Sequence, residues 1–383
     1  MNSTILTASD TAEEVFSTPR PHLHMPSLDG LRGVAILLVL LHHFTGSMNA
    51  EFRINQRFTN WSELGWTGVD LFFVLSGFLI TGILYDSKGT SNFFRNFYAR
   101  RALRIFPLYY TALAIVILMT PLLVYLKLQG TANPAWLSIY ATNIVMSAKG
   151  FGSFGVLDHY WSLAVEEHFY LIWPAVVYLL PRKKLMLLAA CACVIAPALR
   201  FSLLNGTPEL PTAAYILTPM RMDSLAAGAF IALFVRGPKG SEGLVKPAMM
   251  IGGMALVVFF VMCVMRHSKN HNDAVLGTYG YTVLYLLYGS ALVLALNWGP
   301  MRSMMSAPVL RWFGKYSYGM YVWHPIIFML VFHNDFARHV RNGNGLVQGL
   351  LSGAVGLALM FAVTLASWHL WEKQFLKLKS RFA

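Results

Sequence analysis

The chain is predicted to be an all-α protein that crosses a membrane many times. Three observations carry that expectation. Of its 383 residues, 56% are hydrophobic and 12% charged, and that charged share is about half of what a soluble domain carries. The apolar residues fall into ten successive runs, near 31–48, 66–85, 105–126, 160–180, 184–203, 215–235, 247–265, 275–297, 312–332 and 346–371. Most approach the roughly 20 residues a helix needs to span the hydrocarbon core. With the N-terminus inside, twenty of the thirty Lys and Arg residues fall on its side, nine on the other, and Arg221 within a run. Positive charge collects on the cytoplasmic side of membrane proteins, so both termini are expected to be cytoplasmic.

Residues 1–25 are polar, with no apolar core, and read as a disordered cytoplasmic tail rather than a cleavable signal. Residues 26–372 are the expected transmembrane domain, and residues 373–383 a basic cytoplasmic tail. The segment 135–148 is too short and too polar to span and reads as an interfacial or re-entrant helix. Trp61, Trp66, Trp136 and Trp161 suit an outer aromatic belt. Cys191, Cys193 and Cys263 all lie within runs and read as small packing residues. Cys-x-Cys on a helix turns its thiols about 200° apart, a poor metal pair. The net charge of +13 follows from topology and calls for no nucleic-acid partner.

Ionisable residues inside the apolar runs are the candidate functional groups, because each is costly in a membrane. Arg32 and His43 are eleven residues apart in the first run. On a helix they point from nearly the same face, about 20° beyond three turns, and lie about 16–17 Å apart along the axis. Arg101 and Arg104 share a face at the cytoplasmic start of the third run. They read either as positive-inside anchors or as an anion site, since Arg forks suit phosphate. Asp70 lies at the outer end of the second run. Glu166, Glu167 and His168 lie in the outer third of the fourth. These carboxylates either bridge to other helices, Arg221 and Asp223 being the candidates, or serve a cavity. Glu167 and Asp70 descend from the outside while His43 rises from the inside, so the three are expected to meet near the middle.

Other residues receive plainer readings. Ser76 lacks the surroundings of an activated nucleophile and is assigned to helix packing. His324, before Pro325, reads either as a second functional histidine or as a hydrogen-bonding residue at a kink, the structural role being favoured, and His159 as solvated at the outer interface. Tyr109 and Tyr110 read as core or interface residues. His24-x4-Asp29 is a chance match to an acyltransferase pattern of soluble enzymes.

Six ordered motifs carry a resemblance. They are Leu28-Asp-Gly30-Leu-Arg32-Gly33 with His43; Gly68-Val-Asp70-Leu-Phe-Phe-Val-Leu-Ser76-Gly77-Phe78; Arg101-x-x-Arg104 before Pro107; Trp161-Ser-Leu-Ala-Val-Glu-Glu167-x-Phe-Tyr170; Arg221-Met-Asp223 with Gly228; and Ser317-Tyr-Gly-Met-Tyr321-x-x-His324-Pro325. Over residues 26–372 the chain resembles the membrane acyltransferase-3 family, which O-acylates sugars and other hydroxyl acceptors. The resemblance is to a stand-alone form, without the SGNH esterase-like domain that some relatives carry.

The resemblance implies a multi-pass enzyme of the inner membrane with no metal. Its donor would be an acyl-CoA, most often acetyl-CoA, with phosphates on Arg101, Arg104 and Arg32 and the thioester beside His43. His43 would act as catalytic base or as a transient acyl carrier, and Glu167 or Asp70 would fix its tautomer or hold the acceptor. The acceptor would be a hydroxyl of a cell-surface polysaccharide, lipopolysaccharide or lipid-linked glycan. It would be acylated directly or through a separate periplasmic transferase. Acylation of a small secondary metabolite is an alternative within the same chemistry. The rival class is a secondary transporter or flippase of glycan or lipid precursors, which would be expected to show half-to-half repeats. None is visible.

Overall fold

Among the described residues, ten long helices overlap the ten apolar runs. They are α1 (Pro26–Phe52), α2 (Gly68–Asp86), α3 (Phe93–Leu118), α4 (Tyr160–Leu179), α5 (Arg182–Gly206), α6 (Thr218–Phe234), α7 (Val245–Met265), α8 (Tyr281–Asn297), α9 (Pro308–Phe332) and α10 (Gly345–Ser367). The structure, a computed structural model, describes residues 25–52, 61–207, 210–238, 240–332 and 345–382. The expected tail 1–24 and the His24 match lie outside these residues. Among the described residues there is no strand. Eight helical segments are long and apolar enough to cross a membrane, so the chain is an all-α, multi-pass membrane protein. Helices α4 and α9 have the length, 20 and 25 residues, but interrupt their apolar series with Glu166, Glu167 and His168, and with Arg311, Lys315 and His324.

Glycines set the closest crossings. A Cβ on Gly33 would overlap the carbonyl of Leu310, and one on Gly314 the carbonyl of Asp29, so α1 and α9 meet backbone to backbone. Gly77 and Gly228 do the same between α2 and α6, against Leu225 and Val74. Membrane helices gain little from burying apolar surface against each other, so small residues that permit close packing hold them together. This accounts for the glycines in the sequence motifs and fixes α1 beside α9.

Three expectations are corrected. Arg200, counted with an outer loop, lies in α5, fully buried and paired with Asp223 at 2.7 Å. The third run begins at Phe93 rather than 105, so Arg95, Arg100, Arg101 and Arg104 all lie on α3; long arginine stems let their heads reach a polar edge from an apolar helix. The segment 135–148 is not one helix. It is two short ones, Ala135–Ser138 and Thr142–Lys149, broken at Tyr140, whose φ is 57°.

Candidate active site

The site is best followed along α1. The Nδ1 atom of His43 lies 3.0 Å from the carbonyl oxygen of Val39, one turn back. A carbonyl can only accept, so Nδ1 carries the proton and neutral His43 presents Nε2 as an acceptor. Its ring stands edge to face with His324, centroids 4.7 Å apart, and with His42 at 5.0 Å. His324 repeats the arrangement: Nδ1 donates to the Met320 carbonyl at 3.0 Å, and the buried Nε2 has no partner. His159 follows at 5.5 Å from His324.

Two readings change here. His159 is 7% exposed rather than solvated, because Tyr160 and Tyr321 pack against its ring. The Tyr321 hydroxyl also donates to the His159 carbonyl at 3.1 Å and bonds Ser162. His324 does make the expected backbone bond, yet its other edge faces His43. Neither adjacency could be read from spacing, since α1, α4 and α9 are far apart in the chain.

Toward the other end of α1, cations gather. Arg32 lies within electrostatic range of Arg104, Arg101 and Asp29. Arg101 lies within range of Arg104, Glu167 and Glu166, and its buried Nε has no partner. The C-terminal segment adds Lys379, which feels Arg104, Arg101, Arg100 and Arg32. Its ring of Phe382 lies 5.5 Å from the Arg95 guanidinium. Asp29, Glu166 and Glu167 offset part of this positive charge, and guanidinium forks match phosphate oxygens.

The α4 carboxylates lie within electrostatic range of Arg101. Ser76 donates to Glu166 at 2.5 Å and Tyr170 donates to its other oxygen at 3.2 Å. Ser76 therefore anchors a carboxylate in addition to lying in a packed helix. Glu167 keeps a buried oxygen, Oε1, without a partner. His168 bonds Thr218 at 2.7 Å.

Asp70 does not join them. It is fully buried and paired with Arg221 at 2.6 Å, with Ser224 donating to the same oxygen at 3.1 Å. Arg221 lies 4.0 Å from the centroid of the Tyr281 ring. The expected convergence of His43, Glu167 and Asp70 is thus replaced by three settings. His43 faces histidines, Glu167 lies with Arg101, and Asp70 is held by Arg221. The expected bridging of the acidic residues to α6 is met by Asp70, which pairs with Arg221, while Asp223 pairs with Arg200 and Glu166 bonds Ser76. Charge type alone could not choose among partners on different helices.

A many-helix membrane bundle in which one helix carries Arg32 beside a basic cluster and, eleven residues on, a half-buried histidine defines a membrane protein with a polar interior site. The chain belongs to the acyltransferase-3 family: residues 25–369 match the family model described as an acyltransferase domain. "Peptidoglycan O-acetyltransferase OatA" of Listeria monocytogenes is 30% identical over 326 residues, covering 79% of this chain and 49% of that protein. "Putative peptidoglycan O-acetyltransferase YrhL" of Bacillus subtilis is 30% identical over 324 residues, covering 80% of this chain and 49% of that protein. The chain therefore spans about half the length of these relatives. No solved structure matches it.

Proposed function

We propose that this chain is a membrane O-acetyltransferase that moves an acetyl group from acetyl-CoA to a glycan hydroxyl. Both termini would lie in the cytoplasm, at the inner membrane. The observation that carries the proposal is the pairing on α1 of Arg32 with a tautomer-fixed His43, about 16–17 Å apart along one helix face. Family membership supports the chemistry, and the names of the relatives support a peptidoglycan-like acceptor.

Acetyl-CoA supplies an activated thioester carbonyl. Arg32, Arg101 and Arg104 would bind its phosphates, and the unpartnered Nε of Arg101 is a donor suited to that task. The Nε2 atom of His43 would take the proton from the acceptor hydroxyl as its oxygen attacks the carbonyl. The carbon–sulfur bond breaks, an ester bond forms, and the proton returns from Nε2 to the departing sulfur. The Val39 carbonyl does the orienting work that a carboxylate does in a triad. In this reading Glu167 stands between donor site and histidine and helps hold the acceptor, while Asp70 acts at a distance by fixing α2 to α6.

The test is acetyl transfer in nanodiscs. Wild type given radiolabelled acetyl-CoA and a peptidoglycan extract should label the glycan. His43→Ala, inserted at equal level, should not. Equal labelling by the two would remove His43 from the chemistry, and failure of wild type to bind or consume acetyl-CoA would overturn the donor assignment.

A further inference from the structure

The His42 side of α1 faces a separate cavity of about 170 Å³, lined among others by His42, Thr45, Gly46, Trp66, Lys269 and His271. Its position follows from two segments clipped together. The Trp66 indole donates to the Lys269 carbonyl at 2.8 Å, tying the turn Glu63–Thr67 to the segment between α7 and α8. That segment is capped by Asp273, which accepts from the backbone of Val275 and Leu276 at 3.0 and 3.1 Å.

Two buried polar atoms of the lining have no partner, Nδ1 of His42 and Nε2 of His271. A buried polar atom left unpaired costs stability, so native structures pair such atoms or hold them for a ligand or water. Hydroxyl groups both donate and accept, so they suit an imidazole nitrogen in either tautomer. Trp66 gives the lining an aromatic ring, 6.1 Å from that of His271, which itself packs at 4.1 Å on Tyr215. The lining holds one lysine, Lys269, and one glutamate, Glu63, so it carries no formal excess of charge. Burial, aided by Arg221 and His43, pushes His271 down to about 4, so it is uncharged at neutral pH. The cavity thus favours a neutral, hydroxyl-bearing ligand with apolar ring faces over an anion. Its volume is below the ~300–1,000 Å³ of ordinary ligand pockets, so it admits one ring of a larger molecule.

Its place matters as much as its lining. His42 and His271 both lie within electrostatic range of His43. A ring seated here brings hydroxyls toward His43 from the side away from Arg32. We propose that this cavity is the acceptor subsite and binds one uncharged pyranose ring of the acceptor glycan, with His42 and His271 bonding its hydroxyls. The proposal rests on the acetyltransferase reading for what happens next, but saccharide binding can be measured without turnover.

Gly46 offers a test, because it lines the cavity and a Cβ there would meet nothing within 4 Å, so a larger side chain narrows the cavity rim without displacing backbone. Chitotriose, a neutral oligomer of N-acetylglucosamine, is titrated into full-length protein in nanodiscs and followed by calorimetry, with acetyl-CoA titrated separately. Wild type should bind chitotriose, and Gly46→Leu should weaken it at least tenfold with acetyl-CoA binding unchanged. His271→Asn, which keeps a polar group but alters its reach, should weaken it severalfold and serves as the deciding variant if Gly46→Leu fails to bind acetyl-CoA. Absence of chitotriose binding in wild type, or unchanged binding in the deciding variant, overturns the subsite. Loss of acetyl-CoA binding by wild type overturns the acetyltransferase reading instead and leaves the saccharide result standing.

Discussion

At one end of the site Arg32 lies within electrostatic range of Arg101, Arg104 and Lys379, and Arg101 keeps a buried nitrogen without a partner. At the other, eleven residues along the same helix, His43 sits among imidazoles, its Nδ1 tied to Val39. The first arrangement stores charge and suits a ligand that brings the opposite charge. The second excludes charge and keeps a nitrogen lone pair ready for a proton. The difference teaches that charge and neutral imidazoles are kept apart along α1, so under the proposed function damage to each end should fall on different kinetic constants.

The largest effect is expected at the histidine end. His43→Gln should lower kcat for acetyl transfer by about 10²–10⁴-fold, the range of general base catalysis, with donor KM nearly unchanged. A rise in KM with intact kcat would break the comparison. Next comes the scaffold between the ends. Arg221→Ala leaves Asp70 charged and unpaired in the interior, at a cost of about 3–5 kcal/mol. It should lower thermal stability in detergent and folded yield, whereas a loss of turnover at wild-type stability would give Asp70 a direct role. At the arginine end, Arg101→Ala removes charge-assisted hydrogen bonds of about 1.5–3 kcal/mol. Donor KM should rise roughly 10- to 150-fold, each 1.4 kcal/mol being about tenfold, with kcat little altered.

The smallest effect concerns acid. His271 is held near 4 against a reference of 6.5, so between those values the unfolded chain binds more protons than the folded one. Stability from this group is complete above about 6.5 and is lost as pH falls toward 4. Thermal melts across that window should show a shallower fall for His271→Asn, and identical slopes would assign the acid sensitivity elsewhere.

What could be read from the sequence was whatever lies on one helix. The common face of Arg32 and His43, and of Arg101 and Arg104, follows from helical repeat alone. The ten runs are visible because a membrane demands length and apolarity together. What could not be read was the pairing of one helix with another. Asp223 found Arg200, Ser76 found Glu166, and His324 came to face His43. Each depends on crossings such as Gly77 with Leu225 and Gly33 with Leu310, which composition does not reveal. The cavity beside His42 was hidden for the same reason, since Trp66 and Lys269 are joined by a single indole hydrogen bond across two hundred residues.

The most direct test of the separation along α1 is a structure of the protein with coenzyme A bound. The account predicts the phosphates among Arg32, Arg101 and Arg104 and the sulfur beside Nε2 of His43. A sulfur at the arginine end, or phosphates bound away from that cluster, would contradict it.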